Sequence, residues 1–200
     1  MKYFLFDIGN VLFNFDFYKM HQTHSQHSGA PVKPYSAEEF AVRDQVESGF
    51  ISDEEWLKYL NSIRNLSWTM DDLVQAWIDN FEPNQTGIQL FKKAIAQKEV
   101  SVHVLSNISN HHILAIERAW PNFFDGADSL FFSYEMGTRK PSSTIYQKVL
   151  NQLGVPAETC FFVDDMSENV EAARKLGIQA HQFIPQKYKE VQHAVDQFFG

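Results

Sequence analysis

Short apolar runs alternate with helix-length amphipathic segments through the second half of the chain. Strands that alternate with helices are typical of right-handed crossovers and a mostly parallel sheet. One more apolar run lies near the start of the chain. The predicted strands cover residues 3–6, 100–105, 129–132, 160–163 and 179–184, and the helices predicted between and after them cover residues 88–97, 113–119, 144–153, 168–176 and 188–199.

The segment between the first strand and Pro83 has no convincing central strand, and its pattern predicts helices. Capping boxes, which mark helix starts, are predicted at Ser36 and Ser52. Gly49 lies between these two starts and predicts the turn that joins their helices. A third helix is predicted at residues 70–81, where apolar side chains recur on one side.

These elements together predict one α/β fold. The expected fold class is a Rossmann-like parallel sheet core with a helical cap inserted after the first strand. Residues 1–13 and 84–200 would form the catalytic core, and residues 14–83 would form the cap domain. We expect the cap to lie over the carboxyl edge of the sheet.

Composition and charge narrow the possible functions. The formal net charge of −8 argues against a nucleic-acid surface, which needs clustered lysines and arginines. No stretch reaches the roughly 18 uninterrupted apolar residues of a membrane span, and the start of the chain lacks a secretory pattern, so no membrane partner is expected. The single cysteine, Cys160, opens an apolar run and is predicted to be buried. One cysteine cannot form a disulfide within the chain, which favours a reducing, cytoplasmic location.

Polar side chains follow three of the predicted strands directly. Asp7 ends the first apolar run and leads into a glycine turn. Ser106 and Asn107 follow a second run, and Asp164 and Asp165 follow a third. Taken singly, such residues are often only turn residues or helix caps. Because α/β sheets bind ligands outside the carboxyl ends of parallel strands, we expect these side chains to meet at one edge of the sheet.

The chemistry of these groups fits phosphoryl transfer. An aspartate at a strand end, such as Asp7, can attack a phosphoryl group and form an aspartyl phosphate. Ser106 can donate its hydroxyl to a phosphate oxygen, and the backbone N–H of Asn107 opens a helix terminus suited to anions. Lys140 can supply positive charge to the phosphate and to the carboxylate of Asp7. Asp165, Asp7 and a backbone carbonyl would form the sparse oxygen site that Mg²⁺ accepts.

The order of these motifs resembles the haloacid dehalogenase superfamily, and the resemblance covers essentially the whole chain. Several runs also resemble a bacterial branch that includes α-D-glucose-1-phosphate phosphatase. The resemblance implies a Mg²⁺-dependent phosphatase that hydrolyses a small phosphorylated metabolite, with a sugar phosphate as one candidate, through an aspartyl phosphate. The four motifs are Asp7-Ile8-Gly9-Asn10-Val11, Leu105-Ser106-Asn107, Arg139-Lys140-Pro141 and Asp164-Asp165 followed by Asn169.

The resemblance assigns a role to each matching residue. In the capped relatives, a glycine-containing turn also projects into the pocket, which makes Glu47 a candidate acceptor for substrate hydroxyls and Phe50 a candidate apolar wall. The implied catalytic residues are Asp7 and Lys140, the implied substrate-binding residues are Ser106, Asn107, Lys140 and Glu47, and the implied metal ligands are Asp7, Gly9 (through its carbonyl), Asp165 and Asp164.

Gly9 departs from the pattern of the superfamily. Most phosphatases of this group carry a second aspartate two residues after the nucleophile, where it protonates the leaving oxygen and activates water. Gly9 keeps the backbone carbonyl but offers no acid or base. Two alternatives therefore stay open. One is a metal-independent hydrolase of the haloacid dehalogenase type, although the adjacent pair Asp164 and Asp165 favours the phosphatase. The other is a non-catalytic ligand-binding relative.

Five histidines have no obvious partners in the sequence. His21, His24 and His27 are expected on a solvated face of the cap, because no carboxylate pattern accompanies them. His111 and His112 follow the predicted phosphate loop and are expected to be exposed helix residues, with a place at the rim of the pocket as the alternative.

Overall fold

The structure, a computed structural model, describes residues 1–200. None of its helices combines the length and the apolar character that crossing a membrane requires. The strands are β1 (Lys2–Phe6), β2 (Phe13–Asn14), β3 (Glu82–Pro83), β4 (Val100–Ser106), β5 (Ser129–Phe132), β6 (Cys160–Asp164) and β7 (Gln179–Gln182). The helices are α1 (Phe17–Ser28), α2 (Ala37–Glu47), α3 (Asp53–Arg64), α4 (Met70–Asn80), α5 (Gln85–Ile95), α6 (Asn110–Ala119), α7 (Ser133–Met136), α8 (Ser143–Leu153), α9 (Ser167–Lys175) and α10 (Tyr188–Phe199).

Five parallel strands form the central sheet in the order β5-β4-β1-β6-β7. The predicted α/β, Rossmann-like fold class is therefore confirmed. Strand β1 lies between β4 and β6, and these three strands run in the same direction. Their carboxyl ends are neighbours at one edge, which brings the residues that follow them together.

The sheet is covered on both faces, and successive side chains of a strand enter opposite cores. Phe4 and Phe6 of β1 belong to the larger apolar cluster, whereas Leu5 between them belongs to the smaller one. Strand β6 alternates in the same way, with Phe161 in the larger cluster and Phe162 in the smaller. This double burial explains why the central strands are almost continuous apolar runs.

Helices α1 to α4 lie between β2 and β3, which pair as an antiparallel ribbon. In the ribbon, Phe13 pairs with Pro83 and Asn14 pairs with Glu82. These pairs lie at residues 14 and 83, the predicted limits of the helical segment. The capping boxes at Ser36 and at the start of α3 are both present. The division of the chain into a catalytic core and a cap domain stays a prediction.

Some elements have no counterpart in the sequence pattern. Strands β2 and β3 have two residues each, and helix α7 has four, so none is long enough to show periodicity. The expectation of a solvated helix face at His21 and His24 was wrong, because both side chains are buried. They pack against the ring of Tyr35, and His24 also packs against Trp68. Burial lowers the pKa of His24 to about 3, so the ring is neutral.

Gly49 and Gly29 offer a matched test of the turn between α2 and α3. Both have left-handed backbone, with φ of 71° and 69°. A Cβ at Gly29 would meet nothing, whereas a Cβ at Gly49 would lie 2.0 Å from the carbonyl oxygen of Tyr134. Gly29→Ala is expected to lower the free energy of unfolding by about 1–2 kcal/mol. Gly49→Ala should lose about 1–3 kcal/mol more, because the neighbouring backbone must move.

Urea unfolding of the two variants and the parent protein measures this difference. Equal losses for Gly49→Ala and Gly29→Ala would contradict the close contact between the turn and Tyr134.

Candidate active site

A buried ion pair between Asp7 and Lys140 lies at the carboxyl edge of the sheet. The Nζ atom of Lys140 is 2.9 Å from Oδ1 of Asp7 and 2.5 Å from Oδ2 of Asp164, and it also donates to the carbonyl oxygen of Leu105. Burial raises the pKa of Asp7 to about 7, and the ammonium of Lys140 partly offsets the rise. Burial lowers the pKa of Lys140, but the two carboxylates outweigh it and leave the pKa raised. The lysine is therefore a fixed cation beside Asp7.

Three carboxylates converge at this edge, from the ends of β1 and β6. Asp7, Asp164 and Asp165 each offer an oxygen, and these oxygens lie within 4.8 Å of one another. The oxygens of Asp164 accept hydrogen bonds from the Asn169 amide, from the backbone N–H of Met166 and from Lys140. Asp164 is thus held on all sides by protein donors, whereas Asp7 and Asp165 border the cavity described below.

Asn10 joins the first and fourth motifs, a contact that the sequence did not suggest. Its side-chain amide donates to Oδ2 of Asp165 at 2.9 Å, and its backbone adopts a left-handed conformation with φ of 53°. Asparagine tolerates this conformation better than most residues. Its carbonyl oxygen accepts from the side chain of Asn84. The loop after β1 is therefore fixed against Asp165.

The second motif positions the third. The side chain of Asn107 forms two hydrogen bonds of 2.8 Å with the backbone of Lys140, one as donor and one as acceptor. This pairing fixes the backbone from which the Lys140 side chain reaches Asp7. Ser106 is buried at the end of β4 and lines the same cavity as Asp7.

The aromatic ring of Phe15 fills the space beside Gly9. A Cβ placed on Gly9 would lie 3.0 Å from Cε1 of Phe15. The backbone of Gly9 is outside the left-handed region, so it does not require glycine. The space for a side chain at this position is limited by the ring of Phe15. Gly9 itself therefore supplies no carboxylate to the cavity.

Glu47 lies at the cavity and belongs to a network of alternating charges. Arg139 donates to Glu47 at 2.9 Å and pairs with Asp44 at 2.7 Å, while Arg43 lies 3.3 Å from both carboxylates. Burial raises the pKa of Glu47, and the two arginines oppose the rise. The two oxygens of Glu47 therefore face guanidinium groups, and its role as an acceptor for substrate hydroxyls stays a prediction. The sequence did not suggest Arg43 or Arg139 as partners of Glu47.

A cavity of 690 Å³ opens above the ion pair, between the sheet edge and helices α1 to α4. More of its wall is apolar than polar. A volume of this size is typical of sites that hold drug-sized ligands. Aromatic side chains form a continuous part of the wall, and they are Phe15, Phe17, Tyr35, Phe40, Trp77 and Phe81.

Two expectations about the pocket were wrong. His111 and His112 are buried and line the cavity, so the expected exposed helix positions were wrong and the alternative, a place at the pocket, agrees with the structure. Nδ1 of His111 pairs with Asp53 at 2.8 Å, and the ring of His112 packs on Trp77. Phe50, a candidate wall residue, is 70% exposed and lies outside the lining of this cavity. The turn at Gly49 brings Glu47 to the pocket but directs Phe50 away from it.

Comparisons with known proteins agree with this arrangement. A family model described as haloacid dehalogenase-like hydrolase matches residues 1–177. A D-ribitol-5-phosphate phosphatase from Bacteroides thetaiotaomicron is 27% identical and is aligned over 91% of both chains. A phosphatase from Mycobacterium tuberculosis is 25% identical over 88% of this chain and 84% of its own. The superfamily and the hydrolase class predicted from the motifs are confirmed, whereas the glucose-1-phosphate branch stays a prediction.

Solved structures support the fold. A haloacid dehalogenase family enzyme from Bacteroides thetaiotaomicron, in complex with magnesium and inorganic phosphate, superposes with a TM-score of 0.76. Its sequence is 21% identical, and the match covers 91% of this chain and 93% of that one. At this level of identity the likeness establishes the fold alone.

Proposed function

This chain belongs to the haloacid dehalogenase-like hydrolase family, and we propose that it is a Mg²⁺-dependent phosphatase acting on a small phosphorylated metabolite through an aspartyl phosphate on Asp7. The observation that carries the proposal is the buried ammonium of Lys140, 2.9 Å from Asp7 and at the floor of a large cavity. A carboxylate held beside a fixed cation is well placed to approach a phosphate dianion.

The donor set at the sheet edge fits a divalent cation with oxygen ligands. Asp7 and Asp165 border the cavity, and the Gly9 carbonyl belongs to the same loop, so these three would hold Mg²⁺. Asp164 would act through Lys140, because protein donors already surround its oxygens. When bound, the cation would supply positive charge to the phosphoryl oxygens.

The side chains at the floor of the cavity divide the reaction between them. Lys140 and the Ser106 hydroxyl would bind the phosphoryl oxygens, together with the backbone N–H of Asn107. An oxygen of Asp7 would attack phosphorus, and the bond to the leaving oxygen would break with its electron pair. Water would then hydrolyse the aspartyl phosphate, which releases inorganic phosphate and restores Asp7. Helices α1 to α4 would cover the cavity and exclude bulk water.

Asp165→Ala tests the proposed metal site. We expect it to reduce Mg²⁺-stimulated phosphate release by about 100-fold or more, because the site has few protein ligands. The assay compares p-nitrophenyl phosphate hydrolysis with added Mg²⁺ and with a chelator. Asp125→Ala, at an exposed aspartate, should keep the metal dependence of the parent.

The same assay separates the phosphatase from the alternatives. Parent activity that is indifferent to chelator, together with chloride release from 2-chloropropionate, would favour a metal-independent dehalogenase. The adjacent pair Asp164 and Asp165 and the phosphatases among the relatives weigh against that outcome. A protein that binds phosphate but turns over neither kind of substrate would fit a non-catalytic relative.

A further inference from the structure

Gly9 has no side chain that could protonate a leaving oxygen, at the position where most phosphatases of the superfamily carry an aspartate. The ring of Phe15 occupies that place, 3.0 Å from where a Gly9 side chain would begin. Phe15 packs in turn against Trp77 and Phe81, with ring centroids 6.0 and 6.4 Å away. General acid catalysis typically contributes about 10²–10⁴-fold. A strongly basic leaving oxygen would therefore be cleaved slowly at this site.

The aromatic wall continues from Phe15 into the part of the cavity beneath the cap helices. The ring of Phe17 lies 5.2 Å from Phe15 and 6.0 Å from Phe40, and Tyr35 lies 5.7 Å from Phe40. The edges and faces of such rings bind apolar groups well, and the phenylalanines among them offer no hydrogen-bond partner to the hydroxyls of a sugar or polyol.

Four of the charged groups of the wall are already paired with one another. Arg43, Asp44, Glu47 and Arg139 form the alternating network described above, and Arg43 also stacks its guanidinium over the ring of Phe40 at 4.9 Å. Both oxygens of Glu47 already face arginines, so a substrate hydroxyl would compete with a guanidinium for them. Displacing that guanidinium would leave a buried charge with fewer partners, which is costly.

From these observations we infer that the substrate carries an apolar group joined to phosphorus through a weakly basic oxygen. This inference deepens the proposed phosphatase function and rests on it. Two kinds of compound have this chemistry, namely an aryl phosphate and a diphosphate of an apolar alcohol cleaved at its terminal phosphorus. Asp7 attacks phosphorus, the phosphorus–oxygen bond breaks, and the phenolate or alkyl monophosphate departs with the electron pair. That anion takes any proton it needs from water, so the enzyme supplies no acid.

Five compounds separate apolar character from leaving-group basicity. Among apolar probes, 2-naphthyl phosphate and geranyl diphosphate have weakly basic leaving oxygens, whereas geranyl monophosphate has a strongly basic one. Among polar probes, α-D-glucose 1-phosphate has the less basic leaving oxygen and ribitol 5-phosphate the more basic one. We expect kcat/KM for at least one of the first two to exceed that of the other three by about tenfold or more. The better of those two identifies the aryl or the diphosphate form.

Two outcomes would overturn the inference while leaving the phosphatase in place. One is equal or better turnover of glucose 1-phosphate or ribitol 5-phosphate, which would show hydroxyl recognition. The other is turnover of geranyl monophosphate equal to that of geranyl diphosphate, which would show that a proton donor is present. Hydrolysis that survives in Asp7→Asn, or hydrolysis of none of the five, would instead refute the proposed function.

Phe40 and Phe50 provide a matched pair for the apolar wall. Phe40 is 37% exposed and lines the cavity, whereas Phe50 is 70% exposed and does not. Phe40→Asn should lower the ratio of kcat/KM for 2-naphthyl phosphate to that for acetyl phosphate by about tenfold. Phe50→Asn should leave this ratio unchanged. Equal effects of the two substitutions would contradict apolar binding at the aromatic wall.

Gly9→Asp tests the missing acid directly. The backbone accepts a side chain, and the ring of Phe15 must yield by a few tenths of an ångström. In a folded variant, the ratio between geranyl diphosphate and geranyl monophosphate should shrink by about tenfold or more, because an acid again assists the basic oxygen. An unchanged ratio in the folded variant would contradict the inference. If the variant does not fold, the parent protein is assayed with a series of substituted phenyl phosphates. The inference requires that kcat/KM fall steeply as the pKa of the leaving phenol rises, and a flat dependence would contradict the inference.

Discussion

An Asp7→Asn protein should release phosphate at no more than background rate, a loss on the order of 10⁴-fold or more. The amide keeps the size of the side chain but has no carboxylate oxygen to attack phosphorus. Lys140 keeps its partner Asp164, so the ammonium stays paired and the fold should survive. Steady-state phosphate release, with the circular dichroism and thermal unfolding of the same sample, measures both effects.

Asp16→Asn is the control for this substitution. Asp16 also faces the cavity and caps helix α1, and asparagine is an equally good N-cap residue. This variant should retain most of the parent activity. Substantial turnover by folded Asp7→Asn would contradict nucleophilic attack by Asp7.

Lys140→Met should remove activity and also destabilise the fold by about 3–5 kcal/mol. The substitution keeps the length of the side chain but leaves Asp7 and Asp164 without their buried cation. The pKa of Asp7 in the folded state, already raised by burial, then rises further above that of the unfolded chain. A group with a raised pKa in the folded state contributes stability that is lost as pH rises through that value. The loss should therefore be larger at neutral than at mildly acidic pH.

Urea unfolding of Lys140→Met and the parent at both pH values measures the effect. Lys148→Met, at an exposed lysine, should change stability by less than about 0.5 kcal/mol at either pH. A Lys140→Met protein as stable as the parent at neutral pH would contradict the buried ion pair.

The sequence predicted the sheet and the position of the site because both depend on local patterns. Apolar runs that end in Asp7, Ser106 and Asp164 are visible in the sequence, and a parallel sheet brings such ends together. The order of the strands was not predictable in the same way, because it depends on packing among distant segments. The two-residue strands of the ribbon were too short to leave a pattern.

The surroundings of the site depended on long-range contacts that the sequence does not display. Glu47 and Arg139 are 92 positions apart, and nothing near either residue identifies the other as its partner. His24 has the local pattern of a solvated histidine and becomes buried only because Tyr35 and Trp68 pack around it. The Phe15 ring beside Gly9 is likewise a consequence of the loop conformation, and the sequence showed only that a carboxylate was missing.

Trapping the covalent intermediate tests directly whether Asp7 is the nucleophile. The protein is mixed rapidly with Mg²⁺ and a phosphorylated substrate that it hydrolyses, quenched in acid, and reduced with borohydride, which converts an aspartyl phosphate to homoserine. Peptide mass spectrometry then locates the modified residue. We expect homoserine at position 7, formed within the first turnover and absent without substrate. Phosphate release with an unmodified Asp7 at every quench time, or a phosphoryl group on another side chain, would contradict this role of Asp7.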